Sequence, residues 1–218
     1  MHLEFSASSS ATSARRSPRD LSTAKMTASK SNLQESARRI AEVLRESGAV
    51  ALIPTETVYA LVCRSSDQQA VEKIRQLKHR DPAKFFGWFI PDWRQAEKFG
   101  LVTTPLATNL FQRYFPGAAT LILNKVDCTT QAVRTPDHPL ITELLKLFDE
   151  PLIQTSANAS GMPDALSLEQ ALSQLDGTPD ISFDGGNLEP GAKGSTIVDT
   201  TKNPPVILRQ GNTVVTFE

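Results

Sequence analysis

The 218-residue sequence predicts an α/β fold in which helices flank a mixed sheet, and three observations carry that prediction. Short apolar runs alternate with stretches of helical periodicity along most of the chain. The run A-V-A-L-I at 49–53 is apolar at every position, as suits a strand covered on both faces. Hydrophobic residues make up 39% of the chain, which supplies one sizeable core rather than two, so a single domain over 31–218 is expected.

Residues 1–30 hold eight Ser, three Thr and five basic residues against Glu4 and Asp20 alone. With no apolar periodicity they cannot offset their ordering entropy, and a disordered Ser/Arg-rich leader is expected. That make-up matches a transit peptide as well as it matches a start upstream of a true initiator at Met26. Asn32 and Glu35 have capping-box spacing, Ala37, Ile40, Ala41 and Leu44 share one helical face, and Gly48 ends the helix. The strand at 49–53 stops at Pro54. A second helix begins near Asp67 and turns Ala70, Val71, Ile74 and Leu77 inward. Further strands are expected at 85–90, 120–123, 132–134, 152–154, 196–198 and 206–208, with helices at 105–114, 139–148 and 168–175 between several of them.

Composition excludes several classes of function. The apolar runs are far shorter than the roughly 20 residues that span a bilayer, so no membrane association is expected. Lys plus Arg number 23 against 24 Asp plus Glu, a net charge of -1, so only a local basic patch can bind a polyanion. Cys63 and Cys128 make no disulfide framework and no C-x-x-C pair, which points to a reducing compartment and to the cytoplasm. His2, His79 and His138 lack zinc-ligand spacing, and no protein-held metal is expected. Their scarcity argues against a His-dependent triad and leaves His138 open as a single general base.

Ligands of open α/β sheets sit where strands give way to loops, and four polar clusters occupy such places. P-T-E-T-V-Y at 54–59 offers hydroxyls and Glu56, either to a ligand or to a capped turn into the next helix. K-H-R-D-P-A-K puts Lys78, Arg80 and Lys84 at a helix C-terminus, where they serve the helix carbonyls or, gathered in a cleft, a triphosphate. T-S-A-N-A-S-G presents Ser156 and Asn158, as ligand donors or as a closed turn. The fourth joins Gly185 and Gly186 to G-S-T-I-V-D and I-L-R-Q-G, with Ser195 and Arg209. Neither a G-x-x-x-x-G-K-S/T loop nor a G-x-G-x-x-G turn is present, and no Ser or Cys of these clusters has an evident neighbouring base. Cations, hydroxyls and amides suit nucleotidyl or phosphoryl transfer, in which the substrate brings its own nucleophile.

Taken in order, P-T-E-T-V-Y, K-H-R, F-P-G-A-A-T-L-I-L, A-V-R-T-P-D-H-P, T-S-A-N-A-S-G, G-S-T-I-V-D and I-L-R-Q-G resemble the YrdC/TsaC family of threonylcarbamoyl-AMP synthases, over about residues 34–211. The resemblance implies a twisted α/β sheet with a concave basic cavity, in the short, single-domain form. It also implies synthesis of threonylcarbamoyl-AMP and pyrophosphate from L-threonine, bicarbonate and ATP, with Mg2+ on the ATP phosphates. The product would pass to downstream proteins that transfer it to tRNA, and tRNA or double-stranded RNA enters as a further ligand. By motif matching, Lys78 and Arg80 are the catalytic cations, and Lys84, Thr130, Ser156, Asn158 and Arg209 join them around ATP. Thr57, Arg134 and Ser195 match threonine-holding positions. Several residues depart from the family pattern: Ala60 and Val62 replace glycines, Asp81 follows the K-H-R cations, Phe85 stands for a proline and Phe89 for a histidine, and F-P-G-A-A-T replaces the commoner W-P-G-P-x-T. A positive φ at position 60 or 62 would strain the chain. The alternative is a noncatalytic or degenerate paralogue that binds RNA or nucleotide.

Overall fold

The computed structural model describes residues 30–217. The leader expected at 1–30 lies outside that range, save for Lys30, which opens helix α1, Lys30–Leu44. Ala37, Ile40, Ala41 and Leu44 form the buried stripe of α1, as the helical period requires. The helix starts before the expected cap. Asn32 sits in the first turn, where its carbonyl accepts a hydrogen bond from Ser36 Oγ at 2.7 Å.

Strand β1, Ala51–Ile53, is buried throughout. The chain then passes through 54–59 into β2, Ala60–Arg64, a strand where the sequence allows a turn running directly into a helix. The alternation that would mark β2 is missing because Ala60, Leu61, Val62 and Cys63 are buried on both faces. Ala60 and Val62 have ordinary strand conformation, so the strain considered at those positions does not arise. Helix α2, Gln68–Lys78, begins at its predicted place because Asp67 ties two segments together. Its Oδ1 accepts from the Ala70 N–H at 3.0 Å and its Oδ2 from the Gly48 N–H at 2.7 Å.

Strand β3, Gly87–Phe89, is shorter than the predicted 85–90, since the Phe85 carbonyl accepts from Arg80 Nη2 rather than from a neighbouring strand. A 3-10 helix, Trp93–Phe99, which the sequence did not predict, leads to α3, Pro105–Tyr114. Then come β4, Ala119–Asn124, β5, Thr130–Arg134, α4, Pro139–Leu145, and β6, Leu152–Ser156. Helix α5, Leu168–Gln174, the short unpredicted β7, Ile181–Ser182, β8, Thr196–Asp199, and β9, Val206–Arg209, complete the order.

Among the described residues the nine strands form one mixed sheet in the order β7-β1-β2-β6-β3-β5-β4-β8-β9. Helices α1 and α4 pack over Ala51, Ile53, Ala60, Val62, Leu152 and Phe89 on one face. On the opposite face α2 and α5 cover Leu52, Leu61, Cys63 and Ile153, and α3 covers Leu121, Leu123, Val133 and Val198. The register joins these last two groups on one side, because Ile153 pairs with Trp88, Trp88 with Val133, and Leu121 with both Val133 and Val198. On the α1/α4 side, the cluster of described core residues takes no member from β4, β5, β8 or β9. That half of the sheet face therefore carries no apolar cluster and is lined by polar side chains such as Thr120 and Arg134, which are buried.

The Asp67 junction gives a direct test of this frame. Asp67→Ala removes the α2 cap and the Gly48 contact together, and should cost about 1–2 kcal/mol in urea unfolding with the native spectrum retained below the transition.

Candidate functional site

The half of the sheet face without an apolar cluster carries polar side chains because strand residues alternate faces. Leu121, Val133 and Val198 point into the core, so Thr120, Arg134 and Ile197 face the other way. Arg209 pairs with Ile197, and Phe89 with Arg134, which completes a row across five strands. Two arginines thus stand on one face, and Arg209 lies near enough to Arg134 to disfavour its charge.

Arg134 is only 4% exposed. Its Nε donates to the Gly117 carbonyl at 3.0 Å and its Nη1 to Thr57 Oγ1 at 3.0 Å. Its Nη2 lies 2.8 Å from Glu56 Oε1 in an ion pair that lacks hydrogen-bond geometry, and both Nη2 and Glu56 Oε2 are buried without a hydrogen-bond partner among the described residues. Burial pushes the guanidinium below its usual range, Glu56 opposes that push, and Arg209 adds to it. Thr57 is fixed in turn by Thr55, whose Oγ1 accepts from the Thr57 N–H at 3.0 Å and the Val58 N–H at 3.1 Å. Ser195, 5% exposed, exchanges a hydrogen bond with Thr120 at 2.7 Å, and its carbonyl accepts from Arg209 Nη2 at 2.9 Å. Gly211 is a steric requirement, because backbone fills the space of a side chain there, whereas a side chain at Gly194 would displace the Arg209 guanidinium. A Cβ on Gly194 would stand 2.6 Å from Arg209 Nη2, and one on Gly211 would stand within 2.7 Å of the Thr196 nitrogen.

A second group gathers at the C-terminal end of β6. Lys78, the last residue of α2, is buried, and its Nζ donates to the carbonyls of Ser156 and Asn158, with Asn158 Oδ1 at 3.4 Å. Ser156 Oγ donates to Asn158 Oδ1 at 2.5 Å, and Asn158 Nδ2 to the Met162 carbonyl at 2.6 Å. Burial, reinforced by Arg80 and opposed by Asp164, pushes the Lys78 ammonium down to about 7. Arg80 is half-buried, and burial with the neighbouring Arg75 lowers its pKa as well. Its Nε has no hydrogen-bond partner among the described residues.

Two links join the groups. Asp164 acts on Lys78 through its charge and accepts the Gly194 N–H at 3.1 Å, next to Ser195. Tyr59 donates its N–H to the Ala165 carbonyl at 3.1 Å and accepts from the Ala157 N–H at 2.7 Å, which sets 54–59 against the Ser156–Asn158 turn. Lys78, Arg80, Ser156 and Asn158 therefore stand together, as do Thr57, Arg134, Ser195 and Arg209. Lys84 and Thr130 are exposed, and the structure brings neither side chain into hydrogen bonds with these groups.

His138 caps α4 without a side-chain bond, and its Nδ1 is buried and unpaired among the described residues. Burial pushes its pKa below the usual imidazole value, against Glu56 and Asp137, which favours the neutral ring. Asp81 spends its carboxylate on the Ala83 N–H at 2.8 Å, and Phe89 is an apolar neighbour of Arg134 within the core. Sequence reasoning did not identify Glu56 as the Arg134 partner, nor Thr120 or Asp164 as site residues. Alternation along 119–124 was a signal for Thr120; Asp164 had none.

These features define a class: a mixed-sheet α/β protein whose polar half-face and adjoining loops gather cations, hydroxyls and amides without a P-loop. The chain belongs to the Sua5/YciO/YrdC family, described as telomere recombination, which matches residues 42–211. A threonylcarbamoyl-AMP synthase of Bacillus subtilis is 36% identical over 181 residues, 78% of this chain and 52% of that protein. Pyrococcus abyssi Sua5 complexed with L-threonine aligns with a TM-score of 0.73 at 30% identity, over 86% of this chain and 56% of that one. Escherichia coli YciO aligns with a TM-score of 0.76 at 26% identity, over 85% and 94%. The chain spans about half the length of the synthases from Pyrococcus abyssi and Bacillus subtilis that it matches. No helix among the described residues is long and apolar enough to cross a membrane.

The Arg134–Glu56 pair should behave as a buried pair. Glu56→Ala, which leaves a buried guanidinium uncompensated, should cost about 3 kcal/mol in urea unfolding, and adding Arg134→Met should recover part of that loss.

Proposed function

We propose that this protein is an L-threonylcarbamoyladenylate synthase, a nucleotidyltransferase that makes threonylcarbamoyl-AMP and pyrophosphate from L-threonine, bicarbonate and ATP. The observation that carries this reading is the pairing of an arginine-centred group, Arg134 with Thr57, Ser195 and Arg209, with a second cationic group at Lys78 and Arg80, joined through Asp164. The first suits a small amino acid with a carboxylate and a hydroxyl, and the second suits a polyphosphate. The named synthases among its relatives support the same reading.

In the proposed reaction the threonine amine, having given up a proton to solvent, condenses with bicarbonate to a carbamate and water. A carbamate oxygen then bonds to the α-phosphorus of ATP in line, while the bond from that phosphorus to the β-phosphate oxygen breaks and pyrophosphate leaves with its electron pair. Arg134 orients the threonine carboxylate, and Arg80, Lys78 and Arg209 offset the charge that develops on the phosphates. No protein nucleophile is needed. Mg2+ would arrive with ATP, on its phosphates. The adenylate would go to downstream proteins that modify tRNA. Free thiols at buried Cys63 and exposed Cys128 support placing the reaction in a reducing compartment such as the cytoplasm.

Purified protein should release pyrophosphate from ATP only when threonine and bicarbonate are both present. Arg80→Ala should lower kcat/KM about a hundredfold with the fold retained, and Arg209→Ala should do so to a lesser degree. Unchanged rates in both variants would exclude this site, and absent turnover with steeply salt-dependent RNA binding would favour a noncatalytic RNA-binding relative. Lys78→Ala is a poorer probe, because it also strands the Ser156 and Asn158 carbonyls.

Lys78 adds a pH signature. With its ammonium pushed down to about 7, the free protein at pH 8 holds Lys78 mostly neutral, and an arriving polyanion raises its pKa and restores the charge. ATP binding should therefore take up a proton from pH 7 upward through the slightly alkaline range. Calorimetry in buffers of different ionisation enthalpy measures this uptake, and release of a proton would contradict it.

A further inference from the structure

Phe85 is 84% exposed, the largest exposure of any large apolar side chain among the described residues. The backbone that presents it is held by side chains at successive carbonyls. Arg75 Nη1 donates to the Asp81 and Lys84 carbonyls at 3.2 and 3.3 Å, Arg80 Nη2 to the Phe85 carbonyl at 2.7 Å, and Gln131 Nε2 to the Phe86 carbonyl at 2.8 Å. The buried Phe86 ring lies under both the Arg75 and the Arg80 guanidinium, 4.8 and 4.9 Å from its centroid. A phenyl ring exposed on a backbone that side chains hold at successive carbonyls can stack on an incoming flat group without rearrangement of the core.

The position of Arg80 restricts what that is. Its Nη2 donates to the Phe85 carbonyl, so an anion held by that guanidinium and a ring stacked on Phe85 lie within the span of one nucleotide. A polyphosphate alone has no use for a phenyl face, whereas every nucleobase has a π face that stacks on one. We infer that Phe85 is the stacking platform for the adenine of the ATP whose phosphates Lys78 and Arg80 hold, an assignment that rests on the nucleotide reading above. Lys84, exposed beside Phe85 and outside the main groups, then lies at the rim over the nucleotide.

The test is calorimetric binding of two probes, ATP and inorganic tripolyphosphate, to the full chain and to Phe85→Ala and Phe85→Trp. Because Phe85 is exposed, neither variant threatens the core. The wild-type chain should prefer ATP to tripolyphosphate, and Phe85→Ala should weaken ATP about tenfold while leaving tripolyphosphate unchanged. Phe85→Trp should keep ATP affinity, with its indole emission quenched by ATP. Equal ATP affinity in Phe85→Ala and wild type overturns the assignment and spares the nucleotide reading. Equal weakening of both probes overturns it too, because the ring would then act on the phosphates through the loop. Loss of single-stranded RNA binding in Phe85→Ala with ATP affinity intact assigns the ring to RNA instead and rejects the adenine platform. Binding of neither probe by the wild-type chain removes the nucleotide reading, and this inference with it.

Discussion

The arrangement of the site depends on one buried charge. A guanidinium at 4% exposure has lost most of its hydration, and it is tolerable only where protein groups replace the water. Arg134 finds the Gly117 carbonyl, the Thr57 hydroxyl and the Glu56 carboxylate, and those groups belong to the turn before β4 and to the connection between β1 and β2. Satisfying the charge therefore fixes how strand β5 meets two distant segments. The same contacts leave one nitrogen and one carboxylate oxygen short of partners, so the pair that organises the structure also keeps unspent capacity for binding.

The second constraint is unequal coverage of the sheet. Helices lie on both faces, but on the α1/α4 side the core cluster ends at β3. Beyond it the alternation of strand residues turns Thr120, Arg134, Ile197 and Arg209 outward. The loops after β1, β6 and β7 are bonded to one another and to the start of β8, through Tyr59, Ala157, Ala165, Asp164 and Gly194. Lys78 belongs to this frame as much as to the site. Its Nζ fastens the end of α2 to the end of β6, and that burial is what lowers its affinity for a proton.

The residues that depart from the family pattern divide by location. Ala60 and Val62 are core residues of β2 with normal backbone, so they fill space under α1 and α4 without altering a loop. Asp81 is occupied with a local N–H, and Phe89 closes one side of the Arg134 row with an apolar wall. Phe85 is the one large apolar residue of the set that faces solvent, on a backbone held by Arg75 and Arg80.

Helix α2 was legible because a 3.6-residue stripe follows a local start signal at Asp67, and the caps that the structure shows at Thr104 and Ser167 stand directly before the expected ranges of α3 and α5. The strands with flanking polar residues were legible as well. β2 was not, because burial on both faces erases alternation, and the two-residue β7 is too short to carry any pattern. The cations and hydroxyls were readable as chemistry, since residue type fixes donor count and charge. What the chain alone could not decide was which of them meet, and which are spent on the protein itself. Glu56 with Arg134, Asp164 with Gly194 and Arg80 with Phe85 depend on strand register, on unequal helix coverage and on the desolvation of particular atoms, and those quantities come into being only when segments distant in sequence pack together.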